Sequence, residues 1–325
     1  MKAAWYERNG PAHDVLVHGD MEQAEPKAGE VRVCIHASGI NPSDTNGRKS
    51  RPPVGPRVVP HSDGAGVIDV LGEGATRHEI GQRVWVWNAQ WKRPFGTAAE
   101  YICVPEDQVA TLPEGVSFAA GACLGIPTFT AMHALRYFGN VAGKTLLVTG
   151  AGSSVGHYAT QMATLAGARV IGTASGARSD LARAAGAECV IDYRSQDVSR
   201  AILDATAGEG VYGIIDIDFS TTVRLLADNV LKPRGSVVCY GSNAVGDASL
   251  SFMTLLMNSY TLKFFAVYEL SIEDRAAVVS DLSRMLAGNV LTHNVGQRFP
   301  LAQIACAHEA VESGGVAGNV VLEID

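Results

Sequence analysis

The segment Lys144–Thr149, followed by Gly-Ala-Gly-Ser-Ser-Val-Gly at 150–156, constrains this chain more than any other feature. An apolar strand that runs into closely spaced glycines and then into a helix is the phosphate-binding turn of a dinucleotide fold. Gly150 and Gly152 allow a tight turn and a close backbone approach to a pyrophosphate, and Gly156 lets the helix pack against the sheet. The helix N-terminus adds free N–H groups and a favourable dipole. The spacing departs from G-x-G-x-x-G, because Ser153 stands where a motif glycine is expected. A glycine triplet also occurs in ordinary βα turns of other doubly wound folds, so its surroundings decide its meaning.

Those surroundings repeat. The helix continues to about Ala166, and strand patterns follow at Arg169–Gly172, Cys189–Ile191, Val211–Ile217 and Gly235–Tyr240. Helical patterns at 179–185, 197–206 and 221–231 separate them. Successive β/α units predict a parallel sheet with helices on both faces. A further helix is expected over Glu273–Ala287 and a strand over Val320–Ile324. Before residue 123 the chain is β-rich, with strands predicted over Val31–Ala37, Ala65–Leu71 and Arg83–Trp87. Residues 41–60, rich in Pro, Arg and Gly, predict a long irregular loop. The length of 325 residues suits two domains.

The second strand of the β/α series addresses cofactor choice. An NAD site places Asp or Glu about 20 residues after the turn, on the ribose 2′-OH. Here the strand ends Val170-Ile171-Gly172-Thr173-Ala174-Ser175, with Ala174 at the acidic position and Arg178 following. A hydroxyl and a guanidinium suit a 2′-phosphate, and the missing carboxylate removes a repulsion, so NADPH is the expected cofactor. The alternative is that Arg178 is only a solvated residue at a helix start.

Composition narrows the remaining classes. Hydrophobic residues make up 47% and charged residues 18%, as in an ordinary globular chain. The net charge of −7 gives no electrostatic footprint for nucleic acid. Six scattered cysteines form no CxxC pair and read as reduced thiols. The opening Met-Lys-Ala-Ala-Trp carries no signal-peptide pattern, and no apolar run reaches the length of a membrane span. A cytoplasmic protein without membrane partners is expected.

Taken together, several motifs resemble the zinc-free medium-chain dehydrogenase/reductases, specifically the quinone oxidoreductase (zeta-crystallin-like) group. They are Gly39-Ile40-Asn41-Pro42-Ser43-Asp44, Ser62-Asp63-Gly64-Ala65-Gly66-Val67-Ile68, Gly125-Ile126-Pro127-Thr128-Phe129-Thr130-Ala131, the 150–156 turn, Gly241-Ser242 and Gly315-Val316-Ala317-Gly318-Asn319. The resemblance spans the whole chain. It implies an α/β protein with a GroES-like β-barrel catalytic domain (1–123 and 268–325) and an inserted Rossmann doubly wound parallel-sheet domain (124–267), with the active site in the cleft. It implies that Asn41 and Thr130 lie near the nicotinamide, that Ser153, Ser154 and Val155 hold the pyrophosphate, and that Ser175, Arg178 and Tyr193 hold the adenosine phosphate end. Ser220, Tyr240, Gly241, Ser242, Phe265, Ala266 and Val267 would complete the groove. Two positions depart from the family pattern: Asn319 replaces a common Lys of the cofactor clamp, and Asn46 replaces a common Tyr that lines the substrate. The ligand Cys and His of the zinc-dependent relatives fall at Asn41 and Ser62, neither a usual zinc ligand, so no metal is expected. His61, one residue away, reads as a loop histidine making one hydrogen bond.

Without zinc, the cofactor supplies the chemistry and the protein positions it. Asn41 and Thr130 are the candidate orienting groups, Asp44 the residue that fixes the loop, and Asn41-Pro42 also reads as plain turn chemistry. Trp85 and Trp87 share one face of a strand, where Trp85 suits core packing, while Trp91 beside Lys92 and Arg93 suits a substrate lid. The expected activity is NADPH-dependent reduction of quinones. The alternatives are reduction of α,β-unsaturated aldehydes or ketones and a non-catalytic role as a structural or RNA-binding zeta-crystallin-like protein. The apolar stretch Ser249–Phe265 predicts a homodimer.

Overall fold

The computed structural model describes residues 1–244 and 246–324. The chain divides into two compact units, one of residues 1–126 and 279–325, the other of residues 127–278. The boundaries expected from the sequence were 123/124 and 267/268.

The second unit is built on a six-stranded parallel sheet. Its strands are β1 (Thr145–Val148), β2 (Arg169–Ala174), β3 (Cys189–Asp192), β4 (Val211–Asp216), β5 (Leu231–Cys239) and β6 (Thr261–Phe264). Their spatial order is 3-2-1-4-5-6, the doubly wound order in which dinucleotides bind where the winding reverses. The helices are α1 (Gly125–Arg136, of this unit from Pro127 on), α2 (Ser154–Leu165), α3 (Arg178–Ala184), α4 (Val198–Ala205), α5 (Phe219–Leu225), α6 (Phe252–Asn258) and the first part of α7 (Ile272–Ala287, of this unit as far as Val278). Leu147, Ile171, Ile214 and Val237 from neighbouring strands form one buried cluster with Ile202 of α4. Central strands of a sheet covered on both faces read as continuous apolar runs, as β1 does.

In the first unit, Lys2–Trp5 pairs with Val17–Asp20 in a two-stranded sheet, and strands from residue 30 onward join the C-terminal segment in a larger one. Asn319–Glu323 pairs antiparallel with Glu30–Ile40, which pairs with Asp63–Leu71 and Tyr101–Pro105. Arg83–Val86 and Val109–Thr111 extend one edge, and Val295–Pro300 extends the other. Val33, Ile35, Ile68, Val84, Ile102 and Leu322 pack into its core. Trp85 is fully buried there, as expected, and Trp87 nearly so.

Three segments differ from the sequence reading. The expected loop of residues 41–60 contains a helix, Pro42–Ser50. Asn41 is its N-cap, Pro42 its first residue, and the Asp44 carboxylate accepts the Asn41 backbone N–H at 2.8 Å. The turn-forming residues there are also those that start helices. The stretch Ser249–Phe265, read only as apolar surface, contains α6 and β6. The helix expected over 221–231 ends at Leu225, and β5 already begins at Leu231.

Candidate active site

In the second unit the glycine turn joins β1 to α2. Gly150 has φ +65°, and a Cβ on Gly152 would lie 2.2 Å from the Arg178 carbonyl oxygen. A Cβ on Gly156 would lie 2.1 Å from the Gly150 oxygen. No side chain fits at either place. Ser153 caps α2, its hydroxyl accepting the Gly156 N–H at 3.1 Å. Ser153 therefore holds the helix start, and the amides of Ser154 and Val155 stand in the first turn, which has no intrahelical acceptors. The turn is tied to β2 by Gly150 N–H donating to Thr173 Oγ1 at 3.0 Å and Ala151 N–H donating to the Thr173 carbonyl at 2.9 Å. A cradle of glycine backbone at the N-terminus of a twelve-residue helix suits a pyrophosphate.

β2 ends at Ala174 without a carboxylate. The Ser175 and Tyr193 hydroxyls are 3.1 Å apart. Arg178 opens α3, its Cβ and carbonyl packed over Gly152. These residues thus gather beside the glycine turn.

A cavity of about 1000 Å³ opens beyond β4 and β5. Ser220, Tyr240, Gly241, Ser242, Phe265 and Ala266 line it, whereas Val267 does not. Sequence reasoning missed Asp218, which holds the lining residue Ser220 by a hydrogen bond. The Asp218 carboxylate accepts from the Ser220 hydroxyl at 2.6 Å, the Asn243 N–H at 2.9 Å and the Asn243 amide at 2.8 Å. Burial would raise its pKa, but these donors outweigh burial and hold it below the usual carboxylate range. The signal was present as an Asp-Ile-Asp-Phe-Ser run at a strand end. Thr130 is buried on α1. One turn on, His133 meets the rings of Phe265 at 4.7 Å and Tyr137 at 5.0 Å, linking α1 to the segment after β6.

In the first unit the candidate residues are built into a lattice of side chains. Asn41 is buried, and its Nδ2 donates to Asp63 Oδ2 at 2.8 Å. The Ile126 N–H donates to both Asp63 oxygens at 2.9 Å. A Cβ on Gly125 would lie 2.0 Å from Asp63 Oδ1, so only glycine admits this carboxylate. Burial and the neighbouring Asp44 push Asp63 well above the ordinary value, against the pull of its donors. Burial likewise raises Asp44 to about 7. Asp44 caps a helix, where the sequence reading had it fixing a loop.

The remaining positions divide. Asn46 is exposed on the Pro42–Ser50 helix. Trp91 is half-buried, with Arg51 4.8 Å and Lys92 5.6 Å from its ring. Asn319 is occupied locally: its N–H and its amide both donate to the Asn294 carbonyl, at 2.8 and 3.0 Å. Ser62 is buried beside Asp63. Among the described residues, no group of three or more His, Cys, Asp and Glu side chains could hold a metal ion. His61, expected to make one hydrogen bond, makes two, to Ser38 and His308.

Comparison with known proteins places these features in a family. Residues 27–114 match the alcohol dehydrogenase GroES-like domain, and residues 154–284 match the zinc-binding dehydrogenase domain. The quinone oxidoreductase of Pseudomonas aeruginosa is 31% identical over 315 residues, covering 95% of each chain. The structure of an NAD-dependent alcohol dehydrogenase is similar at a TM-score of 0.89, with 26% identity and full coverage of both chains. That of Escherichia coli quinone oxidoreductase complexed with NADPH is similar at 0.87, with 26% identity over 99% of this chain and 100% of that one. The chain belongs to the medium-chain dehydrogenase/reductase family, and its fold combines a GroES-like domain with a Rossmann domain.

Proposed function

We propose that this chain is an NADPH-dependent oxidoreductase that reduces quinones without a metal ion. The observation that carries the reading is the end of β2, where Ser175 and Arg178 stand beside the glycine turn and no carboxylate follows Thr173-Ala174. The quinone oxidoreductase relatives, one of them solved with NADPH, support it.

When bound, NADPH would supply a hydride from its nicotinamide ring to the acceptor. The chain supplies the rest. The amides of Ser154 and Val155 and the dipole of α2 favour the pyrophosphate charge. Arg178, Ser175 and Tyr193 favour a 2′-phosphate, which an Asp at 174 would repel. Ser220, Tyr240, Gly241, Ser242, Phe265 and Ala266, which line the cavity, are assigned to the cofactor groove together with the adjoining Val267, which lies outside that lining, and Asn319 to its clamp. Asn41 and Thr130 are assigned to orienting the reacting groups. Asp63 fixes the Asn41 amide, so a donor is in place before charge develops on the acceptor oxygen. Water can protonate the product, so no general acid is needed. Asn41 and Ser62 are not zinc ligands, which supports the metal-free reading. Trp91 and Asn46 are assigned to the acceptor side.

We further infer a homodimer. β6 is an edge strand, and α6 exposes Phe252 (71%) and Met257 (73%). Six free cysteines and no helix able to cross a membrane among the described residues are compatible with a cytoplasmic location.

The test is steady-state oxidation of NADPH and NADH against quinones and enones, with and without a chelator. Chelator-resistant turnover that prefers NADPH and quinones supports the proposal. Preference for enones moves the acceptor class, and NADPH binding without turnover of any acceptor overturns catalysis.

A further inference from the structure

The buried histidine pair of the first unit has no place in the chemistry above. His61 and His308 face each other with their Nε2 atoms 2.9 Å apart, both without solvent exposure. Arg48 Nε lies 3.3 Å from His308 Nδ1. On the other side, His61 Nδ1 is 2.8 Å from Ser38 Oγ, which is 2.7 Å from Thr97 Oγ1. The Thr97 hydroxyl donates to the Asp63 carbonyl at 2.6 Å.

The identity of the end groups fixes every hydrogen. Arg48 can only donate, so His308 Nδ1 must accept. A neutral His308 then carries its proton on Nε2 and donates to His61 Nε2. His61 in turn carries its proton on Nδ1 and donates to Ser38, Ser38 donates to Thr97, and Thr97 donates to a carbonyl that can only accept. The chain runs one way. Burial keeps both imidazoles neutral, pushing His61 down to about 3 and His308 well below its ordinary value.

The chain also closes on itself. Asp63 holds Asn41, Asn41 caps the Pro42–Ser50 helix, and that helix carries Arg48. Arg48 is anchored in turn by the Gly10 carbonyl and by Glu312. His61 sits at φ +80°, a conformation that favours glycine, so a ring there is held against backbone strain.

We propose that His61 and His308 are positioning residues for Asn41, acting through this ring of hydrogen bonds and backbone, which holds Asp63 by its main-chain carbonyl and so places the carboxylate that grips Asn41. The kinetic part rests on the function proposed above; the structural part does not.

The test combines imidazole ¹⁵N spectra of the wild-type chain with two variants, His308→Gln and His308→Leu. At neutral pH the spectra should show His61 protonated on Nδ1 and His308 on Nε2. Gln can accept from Arg48 and donate to His61, so His308→Gln should keep kcat within about threefold. His308→Leu should lower kcat about tenfold, shift the Asn41 side-chain amide signals, and leave the KM for NADPH within about twofold. Opposite tautomers, or a doubly protonated ring, would overturn the proposal even if neither variant folds. So would a folded His308→Leu protein with unchanged Asn41 signals, or equal losses in the two variants. If the wild type oxidises no NADPH, the functional reading fails, while the tautomers and the Asn41 signals still decide the positioning ring.

Discussion

The two units carry their candidate residues by different means. In the second unit the phosphate cradle is made of backbone: glycines at 150, 152 and 156, helix amides, and a serine cap. In the first unit the same task of holding a group still falls to buried side chains. Asn41, Asp44, Asp63, His61 and His308 each lean on another polar residue. A backbone cradle is specified by a few adjacent residues and tolerates little added volume. A side-chain lattice is specified by partners far apart in sequence and fails when one donor or acceptor loses its mate.

The largest effect that separates the two is expected at the turn. Gly152→Val drives a branched side chain into the Arg178 carbonyl, 2.2 Å from the first added atom. It should weaken NADPH binding at least a hundredfold by fluorescence titration and cost about 1–3 kcal/mol in chemical denaturation. Next is Asp63→Asn, which keeps volume but turns an NH₂ toward the donors of Asn41 and Ile126. It should cost about 2 kcal/mol or more and lower kcat tenfold to a hundredfold, with NADPH affinity little changed. Ser175→Asp restores an acidic group near the end of β2. The ratio of kcat/KM for NADPH over NADH should fall about tenfold or more.

The smallest and most selective test is pH. The folded Asp44 value of about 7 lies above the ordinary 3.8, so the folded chain holds that proton longer than the unfolded chain. Asp44 therefore removes stability as pH rises between those values, and Asp44→Asn should abolish that part of the slope. The buried histidines act in the opposite direction. They stay neutral when folded, so stability falls as pH drops from about 6.5 toward 3. Urea unfolding of the wild type and Asp44→Asn across pH 4–8 separates the two slopes, and a stability difference between the two proteins that stays constant over that range would contradict the Asp44 slope.

The same contrast explains what could be read from the sequence. The β/α series from residue 144 to Cys239 and the glycine turn are local: each strand or glycine is recognised by its neighbours. The Pro42–Ser50 helix was hidden because Asn-Pro-Ser-Asp begins turns and helices alike. β6 and α6 were hidden because an apolar stretch of that length shows no clear period. The role of Asp63 needs Gly125 and Ile126, and the His61–His308 contact joins residues 247 apart. No local pattern announces such partners.

Equilibrium titration of NADPH into Gly152→Val and Asp63→Asn, read beside the kcat of Asp63→Asn, tests the division of labour most directly. The account predicts that Gly152→Val loses the cofactor, while Asp63→Asn binds it within about threefold of wild type and turns over at least tenfold more slowly. Normal binding by Gly152→Val, or an Asp63→Asn protein that loses NADPH in proportion to its rate, would contradict it.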